Sequence, residues 1–180
     1  MIIETERLFL RPFLKCDLHD FHEYCAQSDV GIHAGWRAHE SLEESADLLN
    51  EWVNAKNRLA IVLKKEDKVI GHICIFKDAG GRSDTRELGF VLHHSYHRQG
   101  FMKEAVLALT DYLFRRQGLK YIWACCFEEN VASRRLIESC GFTFMQTGSF
   151  DSKPLNKTFR TYEYRIAYNE TKSFRFGEAM

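Results

Sequence analysis

Glu87-Leu-Gly-Phe-Val-Leu-His-His-Ser-Tyr-His-Arg-Gln-Gly-Phe-Met-Lys-Glu-Ala105 is the stretch of sequence that decides the fold. It predicts a strand over Glu87–Leu92, a short polar loop, and a helix over about Gln99–Arg116. Such a strand-to-helix turn leaves several backbone N–H groups unpaired, and the helix dipole adds about half a positive charge there. Since Gly100 lets an anion approach the backbone closely, the N–H groups of Arg98 to Lys103 are candidates for binding a diphosphate.

The same turn also has a purely structural interpretation. Gly100 can simply lead the chain into an amphipathic helix whose apolar side packs in the core. One glycine does not separate these two interpretations. The stretch contains neither the GxGxxG pattern of dinucleotide-binding folds nor the GK[ST] of a Walker loop.

A second stretch, Asn130-Val-Ala-Ser-Arg-Arg-Leu-Ile-Glu-Ser-Cys-Gly-Phe142, follows a strand predicted over Leu119–Phe127. Together the two stretches resemble motifs A and B of the GNAT acetyltransferases, in the branch typified by the ribosomal-protein N-terminal acetyltransferases. The opening Thr5-Glu-Arg-Leu-Phe-Leu-Arg-Pro12 is similar to the first strand of that branch, so the resemblance covers roughly residues 2–165. The residues that carry it are Glu87, Gly89, Phe90, Leu92, Gly100, Phe101, Met102, Glu104, Ala105, Asn130, Ser133, Arg135, Glu138, Gly141 and Phe142.

The resemblance implies a mixed α/β fold: a central twisted mixed sheet with helices on both faces and a splayed pair of parallel strands. It also implies that acetyl-CoA is the cosubstrate, with the pantetheine arm along the strand and the pyrophosphate on the turn. The implied contacts are Phe90, Val91, Leu92, Arg98, Gln99, Gly100, Phe101, Met102, Lys103 and Asn130. Asn130 has an equally good structural role, because asparagine is a strong N-cap and Ser133 occupies the N3 position that a cap serves.

Acetylating an amine requires a base for the ammonium, a donor for the tetrahedral oxyanion, and a route for the departing thiolate. Glu87 is the candidate base, although it could instead be a solvated carboxylate beside Arg86. The resemblance implies a backbone N–H on Phe90–Leu92 for the oxyanion. Many GNAT enzymes use a tyrosine acid four residues before Gly141, where this chain has Ile137. Ser133 is the candidate substitute, unless the thiolate leaves unprotonated or through water.

The resemblance implies that the first two helices and their loop, His33-Ala-Gly-Trp-Arg-Ala-His39, form one wall of the acceptor cleft. Trp36 and Arg37 are the candidate substrate-binding residues, and Arg37 would favour an acceptor that carries an acidic group. Trp36 could equally be an anchor in the core or at the lip of the cleft.

Composition limits the functional classes. Lys+Arg and Asp+Glu both number 25, and no basic stripe is visible, so we expect no direct binding of nucleic acid. The sequence has neither an apolar signal segment nor an 18-residue apolar run, so we expect no membrane span and a cytoplasmic location with reduced cysteines. His93, His94 and His97 lack an acidic partner at ligand spacing, so no metal site is predicted.

The first half predicts a strand over Ile2–Phe13, a helix over Leu18–Ser28 capped by Asp17, and a helix from the capping box Ser41–Glu44. That last helix should reach about Asn57 with Leu48, Leu49, Trp52 and Val53 facing inward. Strands over Arg58–Lys64 and Lys68–Phe76 should form a hairpin. Further elements are predicted over Asn130–Cys140, Phe142–Phe150 and Thr158–Tyr168.

We expect residues 1–168 to form a single acetyltransferase domain, with residues 169–180 as a mobile tail. The predicted activity is acetyl-CoA-dependent transfer of an acetyl group to a primary amine by direct attack. The acceptor is a protein N-terminus or a small amine, and a homodimer is left open. The alternative class is a non-catalytic module that binds acyl-CoA or a protein partner on a degenerate GNAT frame.

Overall fold

Eight strands form one mixed sheet in the computed structural model, which describes residues 1–55, 57–77 and 81–168. The strands are β1 (Ile3–Glu4), β2 (Leu8–Arg11), β3 (Arg58–Leu63), β4 (Lys68–Lys77), β5 (Thr85–Leu92), β6 (Tyr121–Phe127), β7 (Thr143–Ser152) and β8 (Lys157–Ala167). The helices are α1 (Leu18–Cys25), α2 (Ser28–Ala34), α3 (Leu42–Val53), α4 (Phe101–Gln117) and α5 (Val131–Ser139). The order across the sheet is β1-β2-β3-β4-β5-β6-β8-β7.

Helices cover both faces of this sheet, as predicted. Along β3, Leu59 and Ile61 pack into one apolar cluster with α4 and α5, whereas Ala60 and Val62 pack into a second cluster with α1, α2 and α3. This alternation is the period of two expected for a strand that is buried on both sides. We refer to the two sides as the α4 face and the α1 face.

The only parallel neighbours in the described sheet are β5 and β6, and they separate along their length. Their register runs from Thr85 opposite Tyr121 to Leu88 opposite Ala124 and then stops. Beyond that point β5 continues to Leu92 beside β4, while β6 continues to Phe127 beside β8. A gap therefore opens between the two strands, which confirms the predicted mixed sheet with a splayed parallel pair.

The predicted first strand, Ile2–Phe13, is wrong in one respect: it is a hairpin of β1 and β2. Thr5 makes the turn, because its backbone N–H donates to the Leu8 carbonyl at 3.0 Å and its hydroxyl oxygen accepts from the Leu8 N–H at 2.9 Å. A side chain that bonds the backbone three residues further on in this way competes with a continuous strand.

The helix predicted over about Leu18–Ser28 corresponds to α1, which ends three residues earlier at Cys25, and the separate helix α2 was not predicted. Gln27 has extended backbone angles between the two helices. Its side-chain amide reaches the loop after β5, where the Gln27 oxygen accepts from the His94 N–H at 3.0 Å. Asp17 does not cap α1 as predicted, because its carboxylate instead accepts from both terminal nitrogens of Arg11, at 2.7 and 2.8 Å.

The remaining elements agree with the sequence patterns to within a few residues. In α3, the Ser41 hydroxyl accepts from the Glu44 N–H at 3.1 Å, which is one half of the predicted capping box. The Glu44 carboxylate accepts from the Glu40 N–H at 2.8 Å and not from that of Ser41. Leu49 is buried, and Leu48, Trp52 and Val53 pack against the same cluster. No helix in the described ranges is long and apolar enough to cross a membrane. The single domain over residues 1–168 stays a prediction, and the predicted tail, 169–180, lies outside the described residues.

Candidate active site

The turn between β5 and α4 has an unusual backbone. Arg98 and Gly100 are both left-handed, with φ of 61° and 81°, and α4 begins at Phe101. Within the described residues, no hydrogen bond is recorded from the backbone N–H of any residue from 98 to 103. Consecutive free N–H groups at a helix N-terminus form a cradle for an anion. We call residues 98–103 the phosphate turn.

Two side chains fix the phosphate turn in place. Phe101 and Met102 are only 7% and 6% exposed because they pack into the α4-face cluster. The side chains of Arg98 and Gln99 are exposed, and the Gln99 amide donates to the Ser95 carbonyl at 2.9 Å. Lys103 is half-buried. The apolar side chains thus anchor the first turn of α4 while its amides remain free.

The edge of β5 that faces the gap is the second part of the site. Phe90, Val91 and Leu92 pair with β4 on one side and have no partner on β6 on the other. An extended chain such as a pantetheine arm can bond to a free strand edge as an added strand does. The phosphate turn follows the same strand, so one continuous path joins it to the gap.

Asn130 and Ser133 lie at the start of α5, immediately after β6. The Asn130 side-chain oxygen accepts from the Ser133 backbone N–H at 3.0 Å, which confirms the capping role. The Ser133 hydroxyl is half-buried and makes no recorded hydrogen bond within the described ranges. Ile137 is 1% exposed in the α4-face cluster, so the position of the usual tyrosine is filled by a core residue here.

Glu87 lies on the α1 face, at the level where the gap opens. It is in register with Phe76 on β4 and Trp123 on β6, and residues in register share a face of the sheet. Arg86 does not hold this carboxylate, because its guanidinium donates to the backbone carbonyls of Ser83 and Thr85. No ion pair of Glu87 is recorded in the described part of the chain.

Cys125 is a potential nucleophile on the same face as Glu87, two residues along β6 from Trp123, which is in register with Glu87. The Cys125 side chain is exposed on this face of the sheet. Desolvation by the surrounding protein, together with the charge of Glu87, nevertheless raises the pKa of the thiol. Because only the thiolate is a strong nucleophile, this position disfavours a covalent acetyl-cysteine. Burial similarly raises the pKa of Cys126 to about 11.

A second carboxylate, Glu163, extends from β8 on the same face, in register with Cys125. Its orientation is fixed by β7: the Gln146 amide donates to it at 2.6 Å. A Cβ at Gly148 would lie only 2.2 Å from Glu163 Oε1, so glycine leaves the space that this carboxylate occupies. Sequence reasoning missed Glu163, since nothing in the sequence pairs β7 with β8 in this register.

The loop after α2 docks on the β7–β8 hairpin and closes one side of the α1 face. Arg37 Nε donates to the Pro154 carbonyl at 2.7 Å, and the Ser152 hydroxyl donates to the Gly35 carbonyl at 2.7 Å. Trp36 is half-buried against the α1-face cluster, with its ring 5.5 Å from that of His39. The loop therefore covers one side of the α1 face, with Arg37 engaged by the hairpin.

Arg58 is a further charged group on this face that sequence reasoning missed. Its guanidinium lies 5.1 Å from the Trp52 ring centroid and 4.9 Å from that of Phe76. One of its nitrogens, Nη1, is buried without a hydrogen-bond partner. Stacking between two rings holds the guanidinium on the α1 face.

The histidines of the loop after β5 make contacts with protein groups. His93 Nε2 lies 2.9 Å from the Gln27 amide, and His97 Nε2 lies 2.9 Å from the Leu92 carbonyl oxygen. His94 Nδ1 lies 2.5 Å from Asp29 Oδ2, and this contact lowers the pKa of Asp29. Among the described residues, no group of three or more His, Cys, Asp or Glu side chains could hold a metal ion.

Comparison with known proteins agrees with this geometry. The family model described as acetyltransferase (GNAT) domain matches residues 7–143. The uncharacterized N-acetyltransferase YnaD of Bacillus subtilis is 31% identical over 175 residues, which cover 94% of this chain and 99% of that protein.

Solved structures show the same fold. A GNAT-family acetyltransferase from Bacillus anthracis superposes with a TM-score of 0.83 at 30% identity, covering 94% of this chain and 100% of that one. Ribosomal-protein-S5-alanine acetyltransferase from Vibrio fischeri superposes with a TM-score of 0.74 at 19% identity, covering 96% and 99%. The chain belongs to the GNAT family of acetyltransferases.

Proposed function

We propose that this protein transfers the acetyl group of acetyl-CoA to a primary amine by direct attack within a ternary complex. The observation that carries the proposal is the continuous path from the phosphate turn to the gap between β5 and β6, which ends beside Glu87. Cosubstrate binding and the candidate base thus meet at one point of the sheet.

The residues of the path fit the parts of acetyl-CoA in order. The free N–H groups of residues 98–103 and the dipole of α4 suit the diphosphate. The edge of Phe90, Val91 and Leu92 has no strand partner on β6, although the Leu92 carbonyl already accepts from His97, and this edge suits the amides of the pantetheine arm. Asn130 uses its oxygen as a cap, so its remaining side-chain N–H groups are the part of it that suits a carbonyl of the cosubstrate.

The reaction forms a C–N bond and breaks a C–S bond. Glu87, directly or through one water, takes the proton that the ammonium must lose before its nitrogen can attack. A backbone N–H on the gap side of Phe90–Leu92 stabilises the oxyanion. The departing thiolate takes a proton from the Ser133 hydroxyl or from water, since Ile137 has no proton to give. The proton that remains on the attacking nitrogen passes to water, and a Ser133 that has donated regains its proton from water. Because both substrates are held in one cleft, proximity lowers the activation free energy by roughly several kcal/mol. No covalent intermediate is needed.

The charge of the cleft favours a cationic acceptor. Glu87 and Glu163 both influence the thiol of Cys125, so two carboxylates lie on one patch of the α1 face. Neither has a recorded cationic partner among the described residues. An ammonium that enters the cleft is therefore attracted before it is deprotonated. The wall formed by Trp36 and Arg37 is the proposed contact for the rest of the acceptor.

The direct test is a screen of small amines and N-terminal peptides for acetyl-CoA-dependent release of free thiol. We expect at least one amine to give a stoichiometric acetylated product, identified by mass spectrometry. Tight binding of acetyl-CoA without thiol release from any amine would instead fit the non-catalytic module and contradict the proposal.

A further inference from the structure

Arg7, in the turn between β1 and β2, contacts the phosphate turn although 91 or more residues separate them in sequence. Its Nε donates to Glu104 Oε2 at 2.6 Å, and its Nη1 donates to the Gln99 carbonyl at 2.9 Å. The guanidinium carbon lies 4.4 Å from the centroid of the Phe101 ring. Three contacts with one short segment hold the guanidinium against the start of α4.

Glu104 explains why a cation is needed at this place. Its carboxylate lies in the first turn of α4, next to the free amides where we place a diphosphate. Although desolvation opposes it, hydrogen bonds from Thr5 and Arg7 hold the pKa of Glu104 below its ordinary value. Glu104 therefore stays ionised, and without Arg7 its charge would repel a bound phosphate.

The third nitrogen of the guanidinium is free. Nη2 lies 3.4 Å from the position that a Cβ of Gly100 would occupy, so it is beside the left-handed residue of the phosphate turn. No hydrogen-bond partner of Nη2 is recorded in the described part of the chain, and the Arg7 side chain is 40% exposed. A free, charge-bearing donor at this position suits a phosphate oxygen.

We propose that Arg7 is a phosphate-binding and positioning residue: it neutralises Glu104, fixes the phosphate turn through Gln99, and donates Nη2 to a phosphate of CoA. The inference rests on the proposed cosubstrate. The phosphate belongs either to the diphosphate or to the 3′-phosphate of CoA, and the chemistry is the same for both. The hairpin that replaces the predicted first strand then has a role in the site, because it delivers this side chain.

The test compares the affinities of CoA and dephospho-CoA, which lacks the 3′-phosphate, by calorimetry. Arg7→Gln should weaken CoA binding by about tenfold or more, the usual effect of a lost charged hydrogen bond. Arg7→Lys should lose less, since it keeps the charge but cannot make all three contacts at once. Arg115→Gln is the matched control: its Nε–Asp111 pair, also 2.6 Å, lies near the other end of α4, so the variant should bind like the wild type.

Dephospho-CoA distinguishes the diphosphate from the 3′-phosphate as the partner of Arg7. Equal losses for CoA and dephospho-CoA in Arg7→Gln would assign Nη2 to the diphosphate, whereas a loss confined to CoA would assign it to the 3′-phosphate. Removing both charges, in Arg7→Gln with Glu104→Gln, should recover part of the affinity. The recovery tests neutralisation, because a merely structural role of the pair would give a further loss.

A folded Arg7→Gln protein that binds both ligands as tightly as the wild type would overturn the inference. No recovery in the double variant would overturn the neutralising role. If the wild type itself binds no CoA, the proposed function fails and the inference with it. If the wild type binds CoA and the Arg7→Gln variant binds it equally well, the proposed function stands and only the role of Arg7 is contradicted.

Discussion

Leu88 and Ala124 are the last residues at which β5 and β6 stand opposite each other as parallel neighbours. Leu88 is buried under α4, so the next residue towards the N-terminus, Glu87, faces the opposite side of the sheet. The end of the pairing thus places a free strand edge and a carboxylate within one or two residues of each other. This relationship links cosubstrate binding to proton removal in the proposed mechanism.

The phosphate turn should depend on the left-handed conformation of Gly100. Gly100→Ala puts a Cβ on a residue with φ of 81°, which costs about 1–2 kcal/mol unless the turn moves. Because a moved turn no longer presents its amides together, we expect CoA affinity to fall as well. Urea denaturation and calorimetry measure the two effects separately.

Gly118 provides the matched control at the other end of α4. It is also left-handed, with φ of 66°, and a Cβ there would meet no atom within 4 Å. Gly118→Ala should therefore lose similar stability but bind CoA normally. If Gly100→Ala binds CoA as tightly as Gly118→Ala and the wild type do, Gly100 has no role in the binding site.

Acidification should destabilise the fold through His72. This side chain is buried beside Tyr24 and Trp52, with its Nδ1 3.1 Å from the Tyr24 hydroxyl oxygen and its ring centroid 4.8 Å from that of Trp52. Burial, with a smaller contribution from the charge of Arg58, lowers the pKa of His72 to about 3. The unfolded chain binds a proton there near its ordinary pKa of 6.5, so stability is lost as the pH falls from about 6.5 towards 3.

The loss has a slope of up to about 1.4 kcal/mol per pH unit from this one residue. His72→Gln should flatten the dependence of the unfolding free energy on pH between 7.5 and 5. This expectation holds whether or not the substitution changes the unfolding free energy at pH 7.5. The exposed His19 is the control, and His19→Gln should keep the wild-type slope. The same slope in His72→Gln as in the wild type would contradict the role of His72.

Direct transfer predicts that no cysteine carries the acetyl group. Since desolvation and Glu87 raise the pKa of Cys125, little thiolate forms there at neutral pH. Cys125→Ala should keep most of its turnover, and intact-protein mass spectra taken during turnover should show no acetyl-enzyme. An acetyl group trapped on Cys125 or Cys126, formed and consumed at the rate of turnover, would refute direct transfer.

Local sequence patterns were sufficient to predict the main strands of the sheet and the position of the phosphate turn. The alternation in β3, the N-cap at Ser41 and the strand-turn-helix order around Gly100 are encoded within short windows. The motif resemblance added the splay of β5 and β6, which no window of sequence contains.

Features that depend on distant contacts could not be predicted in this way. The break between α1 and α2 depends on Gln27 bonding to the loop at His94, 67 residues away. Asp17 leaves the cap of α1 because the Arg11 guanidinium offers it two stronger, charge-assisted bonds. Likewise, Arg7 and Glu104 become neighbours only when the first hairpin packs against α4. The roles assigned to Glu87, Ser133, Trp36 and Arg37 stay predictions.

The pH dependence of the acetylation rate in Glu87→Gln tests the proposed mechanism most directly. The substitution is nearly isosteric, so CoA affinity and the fold should be kept, and the exposed Glu43→Gln serves as the control. We expect the rate at neutral pH to fall by about 10²-fold or more, the usual worth of a general base. The loss should shrink at high pH, where the amine is already neutral and needs no base. A rate–pH profile in Glu87→Gln that matches the wild type would contradict the role of Glu87 and require another proton acceptor in the cleft.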